Sequence, residues 1–274
     1  MHLRGLKPSS SHGQRIITAA LIVPLLFIVL YWGGPVLFVL LIWAVFSFGN
    51  RELLHLIYQK IAGFDLWFFW LIGTLSLWGA YLKGVEGLFM ALILGSVCSF
   101  IRSIFIFPNQ NRFFESMGKQ LLSLWYLPLF IPFFILVRLE PQGLKWIFFL
   151  LAVNYAGDTG AYYTGRTLGR HKLAPMVSPQ KTIEGSLGGL AANILVAYVF
   201  QITLFSSHPF LQMASLGLTI GVVSQVGDLL ESMLKRAARV KDSGSIFPGH
   251  GGLLDRMDSL LLPAPVLYFF IKLF

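Results

Sequence analysis

The sequence predicts an all-α integral membrane protein with about nine transmembrane helices and a cytoplasmic N-terminus. Hydrophobic residues make up 56% of the 274 residues, charged residues only 12%, and the mean hydropathy is +0.72. Soluble domains carry roughly 25% charged residues. Long apolar runs recur along the chain, and basic residues fall between them in an uneven pattern. These three observations define the fold class.

Nine apolar runs approach the roughly 20 residues that a spanning helix needs. They lie at 16–33, 35–50, 66–82, 88–107, 121–137, 146–164, 183–205, 211–227 and 259–273. The first is longer than a signal-peptide core of roughly 7–15 residues and no small-residue cleavage site follows it, so we expect a retained span. The second and ninth are short and could be tilted, half-buried in protein or extended by their flanks.

The orientation follows from the basic residues. With a cytoplasmic N-terminus, 17 of the 21 Lys and Arg residues fall in cytoplasmic segments, and only four fall outside. Cytoplasmic loops are enriched in Lys and Arg, so this partition predicts the orientation and supports nine spans. The net charge of +9 therefore indicates membrane topology rather than a nucleic-acid partner. We expect a multi-pass protein of the cell (inner) membrane whose active site faces the cytoplasm.

Carboxylates concentrate late in the chain. Seven of the twelve Asp and Glu residues lie in, or at the edge of, the last two large cytoplasmic segments, whereas Glu52 and four others are scattered over the first five spans. We therefore expect an N-terminal transmembrane region, 1–120, with about four spans. A catalytic transmembrane region, 121–274, follows, with cytoplasmic loops at 165–182 and 228–258.

The segment 227–242 continues the eighth span as a helix with cytoplasmic exposure. Asp228, Glu231 and Lys235 are spaced to share one face of that helix. Ordinary ion pairs on a solvated helix would explain this spacing. Against that reading, Asp228 lies where the apolar run ends, at a depth where a carboxylate is costly and usually functional.

The next segment combines glycine-rich turns with Asp255 and Asp258, whose spacing places both on one helix face. Glycines let the backbone approach a ligand and expose amide donors. Mg²⁺ is held by one or two carboxylates, waters and substrate phosphates. Carboxylates and cations around such loops indicate a metal-assisted phosphate-transfer site, with a structural ion-pair network as the alternative.

The loop after the sixth span has a similar composition. Its cations could serve only as a topology signal that also attracts anionic lipid heads. The grouping of Ser178, Lys181, Thr182 and Glu184 in one short stretch favours a phosphate pocket.

The residues from Ser232 to Asp258 resemble the signature of the phosphatidate cytidylyltransferase family, also called CDP-diacylglycerol synthases. The matching positions are Ser232, Leu234-Lys235-Arg236, Lys241-Asp242, Gly244, Phe247-Pro248, His250-Gly251-Gly252-Leu253 and Asp255-Arg256-Met257-Asp258. The stretch from Asp158 to Gly185 also resembles that family's preceding motif, although Gln180 and Ile183 depart from its more usual residues.

This resemblance implies an all-helical membrane enzyme, a homodimer, that condenses CTP with phosphatidate to give CDP-diacylglycerol and pyrophosphate. Its partners would be these two substrates and the surrounding membrane lipids, with no nucleic acid. The resemblance also implies Mg²⁺ as the cofactor and allows a K⁺ ion beside it.

Site residues are carried over by motif position. Asp228, Asp255 and Asp258 are the expected metal ligands, and with Lys241 and His250 they are the expected catalytic residues. The expected substrate-binding residues are Ser178, Lys181, Thr182, Lys235, Arg236, Asp242, Gly251, Gly252 and Arg256.

An ion-coupled membrane transporter is the alternative function, since intramembrane carboxylates also mark ion paths. Transporters commonly consist of repeated halves with corresponding broken helices. The two halves of this chain differ sharply in charge and glycine content, which counts against that alternative. The D-G-x₂-A-R-x₈-G-x₃-D-x₃-D pattern of CDP-alcohol phosphotransferases does not occur in the chain.

Overall fold

The computed structural model describes residues 28, 30–58, 62–105, 113–244 and 251–274. Within these ranges the chain is helical apart from one antiparallel hairpin, formed by β1 (Lys172–Ala174) and β2 (Ser178–Thr182). The helices are α1 Gly34–Tyr58, α2 Gly63–Phe105, α3 Phe113–Trp125, α4 Leu127–Phe130, α5 Pro132–Leu139, α6 Gly143–Leu168, α7 Ile183–Thr203, α8 Phe210–Ala237, α9 Leu254–Leu261 and α10 Pro263–Leu273. The first predicted span, 16–33, lies mostly outside the described residues.

Within the described ranges, five helical segments are long and apolar enough to cross a membrane. They are Gly34–Tyr58, Gly63–Phe105, Phe113–Leu139, Ile183–Thr203 and Phe210–Ala237. The prediction of a helical membrane protein is therefore confirmed. The sixth predicted span falls on α6, whose C-terminal half carries polar residues such as Asp158 and Arg166. The ninth is divided between α9 and α10, where Pro263 begins a new helix.

Helix α2 consists of two antiparallel arms. A straight helix of 43 residues would be roughly 65 Å long, about twice the thickness of the hydrocarbon core. The chain reverses at Gly84, whose φ of 65° and ψ of −147° are non-helical. The contacts between the arms join residues that lie at nearly equal sequence distances on either side of Gly84. These pairs are Gly79 with Gly87, Ile72 with Gly95, and Asp65 with Arg102. The arms therefore coincide with the predicted spans 66–82 and 88–107.

Prolines divide the fifth predicted span into α3, α4 and α5. Pro128 and Pro132 lie in the first turns of α4 and α5, where a missing N–H is tolerated. The hydroxyl of Ser76 donates to the carbonyl of Pro128 at 2.8 Å. The Ser76 hydroxyl of α2 thus donates a hydrogen bond to a backbone carbonyl at the break in the helix. Inside a membrane, every backbone polar group needs such a partner.

The apolar core is shared between the N-terminal and C-terminal regions. Phe46 of α1 and Leu88 of α2 are fully buried in the same cluster as Ile135 of α5, Phe149 of α6 and Leu267 of α10. The N-terminal spans therefore pack directly against the helices that carry the predicted site.

A buried polar triad joins α6, α8 and α9. The amide oxygen of Asn154 accepts from the Ser224 hydroxyl at 2.6 Å, and its nitrogen donates to the Ser259 hydroxyl at 2.9 Å. All three residues are buried, with exposed fractions of 2%, 5% and 7%. Because each partner lies on a different helix, the triad fixes how the three helices are aligned along their axes.

Replacing Gly87 with alanine tests the packing of the α2 arms. A Cβ at this position would lie 2.2 Å from the carbonyl oxygen of Gly79, which is backbone and has little room to move. We expect Gly87→Ala to destabilise the protein by about 1–3 kcal/mol, as overpacking does. Thermal unfolding of the purified protein in detergent measures this loss.

Gly118→Ala is the matched control. Among the described residues outside the adjoining turns of α3, no atom lies within 4 Å of a Cβ at Gly118. Alanine also favours helix, so the melting temperature of this variant should stay level or rise. Equal losses in the two variants would contradict the close contact between the arms.

Candidate functional site

The polar triad aligns α6, α8 and α9 so that one aspartate of each helix lies at a similar position along the helix axes. Asp158 lies one turn beyond the triad residue of α6, Asp228 one turn beyond that of α8, and Asp258 directly before that of α9. Asp158 interacts electrostatically with both of the others, and Asp228 interacts with Asp258. Three helices thus contribute like charges to a single region.

A cavity of about 520 Å³ opens beside two of these aspartates, Asp158 and Asp228. The β-hairpin supplies Ser178, Lys181 and Thr182 to its wall. The Lys181 ammonium group lies 2.5 Å from the nearer carboxylate oxygen of Asp228, and both side chains are about one-quarter to one-third exposed. Residues predicted from two separate segments therefore meet in one cavity.

Thr182 also has a structural role at this wall. Its hydroxyl oxygen accepts the N–H of Gly185 at 3.1 Å and so caps the N-terminus of α7. This is the usual function of threonine before a helix. The cap fixes the end of β2 next to Lys181, which orients that lysine toward the cavity.

Lys235 is the centre of a second network, which adjoins the cavity. Its ammonium group donates to Glu231 at 3.0 Å and to Asp255 at 2.7 Å. The other oxygen of Asp255 accepts the N–H groups of Ser243 at 2.9 Å and Gly252 at 2.8 Å. Burial raises the pKa of Asp255, but these hydrogen bonds outweigh it and hold the pKa below its ordinary value.

The three expected metal ligands are therefore divided between two neighbouring networks. Asp228 contacts Lys181, and Asp255 contacts Lys235. Asp258 connects them, because it interacts with both Asp228 and the fully buried Glu231. Within the described ranges, no three His, Cys, Asp or Glu side chains are arranged to enclose a metal ion.

The remaining expected residues lie around these networks. Arg236 reaches the hairpin, where its Nε donates to the carbonyl of Val177 at 3.4 Å. Lys241, Asp242 and Arg256 are exposed.

The two glycines expected to bind substrate border the same region. Gly251 has a φ of 81°, a backbone conformation that favours glycine. The N–H of Gly252 is already bonded to Asp255. His250 lies outside the described residues.

Three carboxylates near these networks were absent from the predicted site. Asp158 and Glu231 are polar groups within helices of the membrane region, and such positions are usually functional. Their place in the sequence could therefore have identified them. Glu52 follows the short second span directly and is 5% exposed, but its partners lie about 200 residues away in the chain. No local pattern could have revealed those contacts.

Comparison with known proteins identifies the family. A model of the cytidylyltransferase family matches residues 13–274. The chain belongs to this cytidylyltransferase family. It is 36% identical over 269 residues to the phosphatidate cytidylyltransferase of Bacillus subtilis (strain 168), which covers 95% of this chain and 98% of that relative. The family expected from the motif at 232–258 is confirmed.

Two further members of the cytidylyltransferase family match over shorter stretches. The phosphatidate cytidylyltransferase of Synechocystis sp. is 47% identical over 133 residues, 48% of this chain and 45% of the relative. That of Staphylococcus saprophyticus is 40% identical over 170 residues, 62% of this chain and 65% of the relative.

Lys235→Met tests the second network of this cytidylyltransferase. Lys235 is 15% exposed and its partner Glu231 is fully buried, so removing the ammonium group leaves a buried carboxylate without its cation. Breaking a buried pair in this way costs about 3–5 kcal/mol. We expect a clear loss of thermal stability in detergent.

Lys119→Met provides the comparison. Lys119 pairs with Glu115 over the same i,i+4 spacing, but both side chains are exposed to solvent. Exposed pairs contribute little, so the melting temperature should hardly change. If both methionine variants melt alike, the second network does not contribute to stability as its burial implies.

Proposed function

We propose that this chain transfers a cytidylyl group from CTP to phosphatidate, giving CDP-diacylglycerol and pyrophosphate. The observation that carries this proposal is the cavity in which Lys181 lies beside Asp158 and Asp228, at the ends of apolar helices. One substrate is a lipid whose phosphate lies at the membrane surface, and the other is a soluble, anionic nucleotide. They can meet only in a polar cavity at such a boundary.

The transfer requires positioning and charge stabilisation rather than a strong base. A phosphate oxygen of phosphatidate attacks the α-phosphorus of CTP, the bond to the bridging oxygen breaks, and pyrophosphate leaves. The attacking oxygen is already charged. The Lys181 ammonium group and the Ser178 hydroxyl, both in the cavity wall, can donate hydrogen bonds to phosphate oxygens. Such donors act by orienting the reactants and stabilising the leaving group.

The carboxylates of the two networks fit a bound Mg²⁺ ion. Five carboxylates accompany two lysines here: Asp158, Asp228, Glu231, Asp255 and Asp258 with Lys181 and Lys235. Oxygen donors of this kind suit a hard divalent cation. Mg²⁺ needs only one or two carboxylates, because waters and substrate phosphates complete its coordination. A set of aspartates that does not enclose the ion is therefore sufficient.

Of the three expected ligands, Asp228 and Asp258 are the ones we propose for direct coordination. The oxygens of Asp255 already accept hydrogen bonds from Lys235, Ser243 and Gly252, so we propose that Asp255 supports the site. When bound, the ion would neutralise and orient the phosphates.

Asp228→Asn and Asp258→Asn test this assignment, because asparagine keeps the shape of aspartate and removes its charge. We expect pyrophosphate release that depends on CTP and phosphatidate to fall by about a hundredfold or more, as when a main electrostatic contact is lost. Yield and melting temperature should change little, since removing one of several like charges relieves repulsion.

Glu115→Gln removes an exposed carboxylate that does not line the cavity, and this variant should remain active. Near-normal turnover and Mg²⁺ dependence in both aspartate variants would show that the metal assignment is wrong.

For the membrane arrangement we propose nine spans and a cytoplasmic N-terminus. Two ion pairs between segments that are distant in the chain support this partition. Lys272 and Glu140, both predicted to lie outside, are 2.6 Å apart, and Asp65 and Arg102, both predicted to lie inside, are 2.5 Å apart. The homodimer expected from the resemblance remains a prediction. The transporter alternative is disfavoured by the family match over residues 13–274.

A cysteine at Ser207 tests the orientation. Ser207 is exposed between α7 and α8, in a connection that the partition places outside. In a Cys98→Ala background, which removes the chain's only cysteine, Ser207→Cys should react with an impermeant thiol reagent added to intact cells. Reaction only after the cytoplasmic side is opened to the reagent would reverse the proposed orientation.

A further inference from the structure

Glu52 is a buried carboxylate of α1 that binds the C-terminal segment. One of its oxygens accepts the N–H of Leu253 at 3.1 Å. The other accepts the N–H of Leu254 at 2.9 Å and the hydroxyl of Ser243 at 3.2 Å. These partners lie 191 to 202 residues further along the chain. A side chain from the N-terminal region thus holds both flanks of residues 245–250.

Glu52 supplies the N-terminal cap that α9 does not provide for itself. Leu253 occupies the cap position of this helix and has no side chain that could accept a hydrogen bond. The first N–H groups of a helix need acceptors, and the positive end of the helix dipole favours a negative charge. The carboxylate of Glu52 meets both requirements from another helix. Since α9 carries Asp255 and Asp258, its start determines where they lie.

A second path leads from Glu52 to Asp255 through Ser243. The Ser243 hydroxyl lies 3.2 Å from Glu52 and 3.0 Å from Asp255, and its single proton can be donated to either carboxylate. Its oxygen also accepts the N–H of Asp255 at 3.3 Å, so Ser243 links the two residues when its proton points to Glu52. The N–H of Ser243 also donates to Asp255. Asp255 in turn contacts Lys235 at 2.7 Å. The position of α1 is therefore coupled to the second network by a continuous series of hydrogen bonds.

The two neighbouring glycines fit around Glu52. A Cβ at Gly244 would lie 2.1 Å from one carboxylate oxygen of Glu52, and a Cβ at Gly252 would lie 2.6 Å from the other. Real Cβ atoms do not approach other atoms so closely. The sequence alone relates the small size of these glycines to an approaching ligand. In the structure Gly244 is required by contact with Glu52, and Gly252 by contact with Glu52 together with the Ser243 hydroxyl at 2.1 Å and the Gly244 nitrogen at 2.7 Å.

We propose that Glu52 is a positioning residue for cytidylyl transfer. It fixes the start of α9 and so directs Asp255 and Asp258, without touching the reacting atoms. This inference rests on the proposed function, in which Asp258 is a metal ligand.

Glu52→Gln tests the proposal. Glutamine keeps the size of glutamate but replaces one acceptor oxygen with an NH₂ group, which would face a backbone N–H of α9. In the purified full-length chain, hydrogen exchange at the Leu253 and Leu254 amides should become about tenfold faster, as expected for a lost helix cap. We also expect kcat to fall by about tenfold or more, while KM for CTP and for phosphatidate stays within about threefold, because binding groups remain and alignment is lost.

Several outcomes would overturn the proposal. Faster exchange with normal kcat would make Glu52 a structural cap alone, and unchanged exchange would remove the capping argument. Glu115→Gln, the matched control for charge removal, should behave like the unaltered protein in both measurements.

Ser243→Ala provides a milder variant in case Glu52→Gln does not fold. It removes only the bridging hydroxyl and should lower kcat about threefold to tenfold at unchanged KM. Full activity in Ser243→Ala would contradict coupling through this residue.

Asp258→Asn, assayed in parallel, separates this inference from the proposed function. If Asp258→Asn stays active, the metal assignment fails whatever Glu52 does. If Asp258→Asn is inactive and Glu52→Gln is fully active with unaltered exchange, only the positioning role fails.

Discussion

The side-chain amide of Asn154 is the contact on which the placement of the site depends. Apolar helix faces that pack in a membrane gain little preference for one alignment over another, since lipid tails are as apolar as their partners. A buried amide is different, because leaving either end unpaired costs free energy. Asn154 is satisfied only when Ser224 and Ser259 face it together. That condition fixes three helices lengthwise and places one aspartate of each beside the others.

Bringing like charges together opposes folding, and the structure offsets this repulsion only in part. Lys181 reaches Asp228 from the β-hairpin, and Lys235 lies between Glu231 and Asp255. The carboxylates of these two networks still outnumber their lysines, and carboxylate oxygens are suitable ligands for a divalent cation. A pocket that must accept a triphosphate and a lipid phosphate gains from this arrangement, because a cation held by aspartates can bind phosphate oxygens on its other side. The electrostatic cost of grouping these carboxylates would thus be offset by the cation that we propose for the reaction.

The sequence predicted what is encoded locally and missed what depends on distant contacts. Apolar length predicted the five segments of the described ranges that are long and apolar enough to span a membrane, and the polar break near Gly84 separated the two arms of α2. The hairpin at 172–182 was predicted only as a loop, because its short strands are polar and lack an alternating pattern. Motif position brought Lys181 and Asp228 to one cavity, but it could not show that Asp255 is engaged elsewhere. The role of Glu52 has no local signal in the sequence, since its partners are about 200 residues away.

The tight fit of Gly244 and Gly252 against Glu52 also has an evolutionary consequence. With glutamate at position 52, a methyl group at Gly244 has no space, whereas a shorter residue at 52 would open that space. At Gly252 the Ser243 hydroxyl and the backbone nitrogen of Gly244 would still obstruct a methyl group. A change of Gly244 to a larger residue therefore requires an earlier change at position 52. The segments around residues 52 and 244, which are far apart in the gene, consequently have to evolve together. A recombinant that replaced only one of these segments would bring residues of incompatible size into contact.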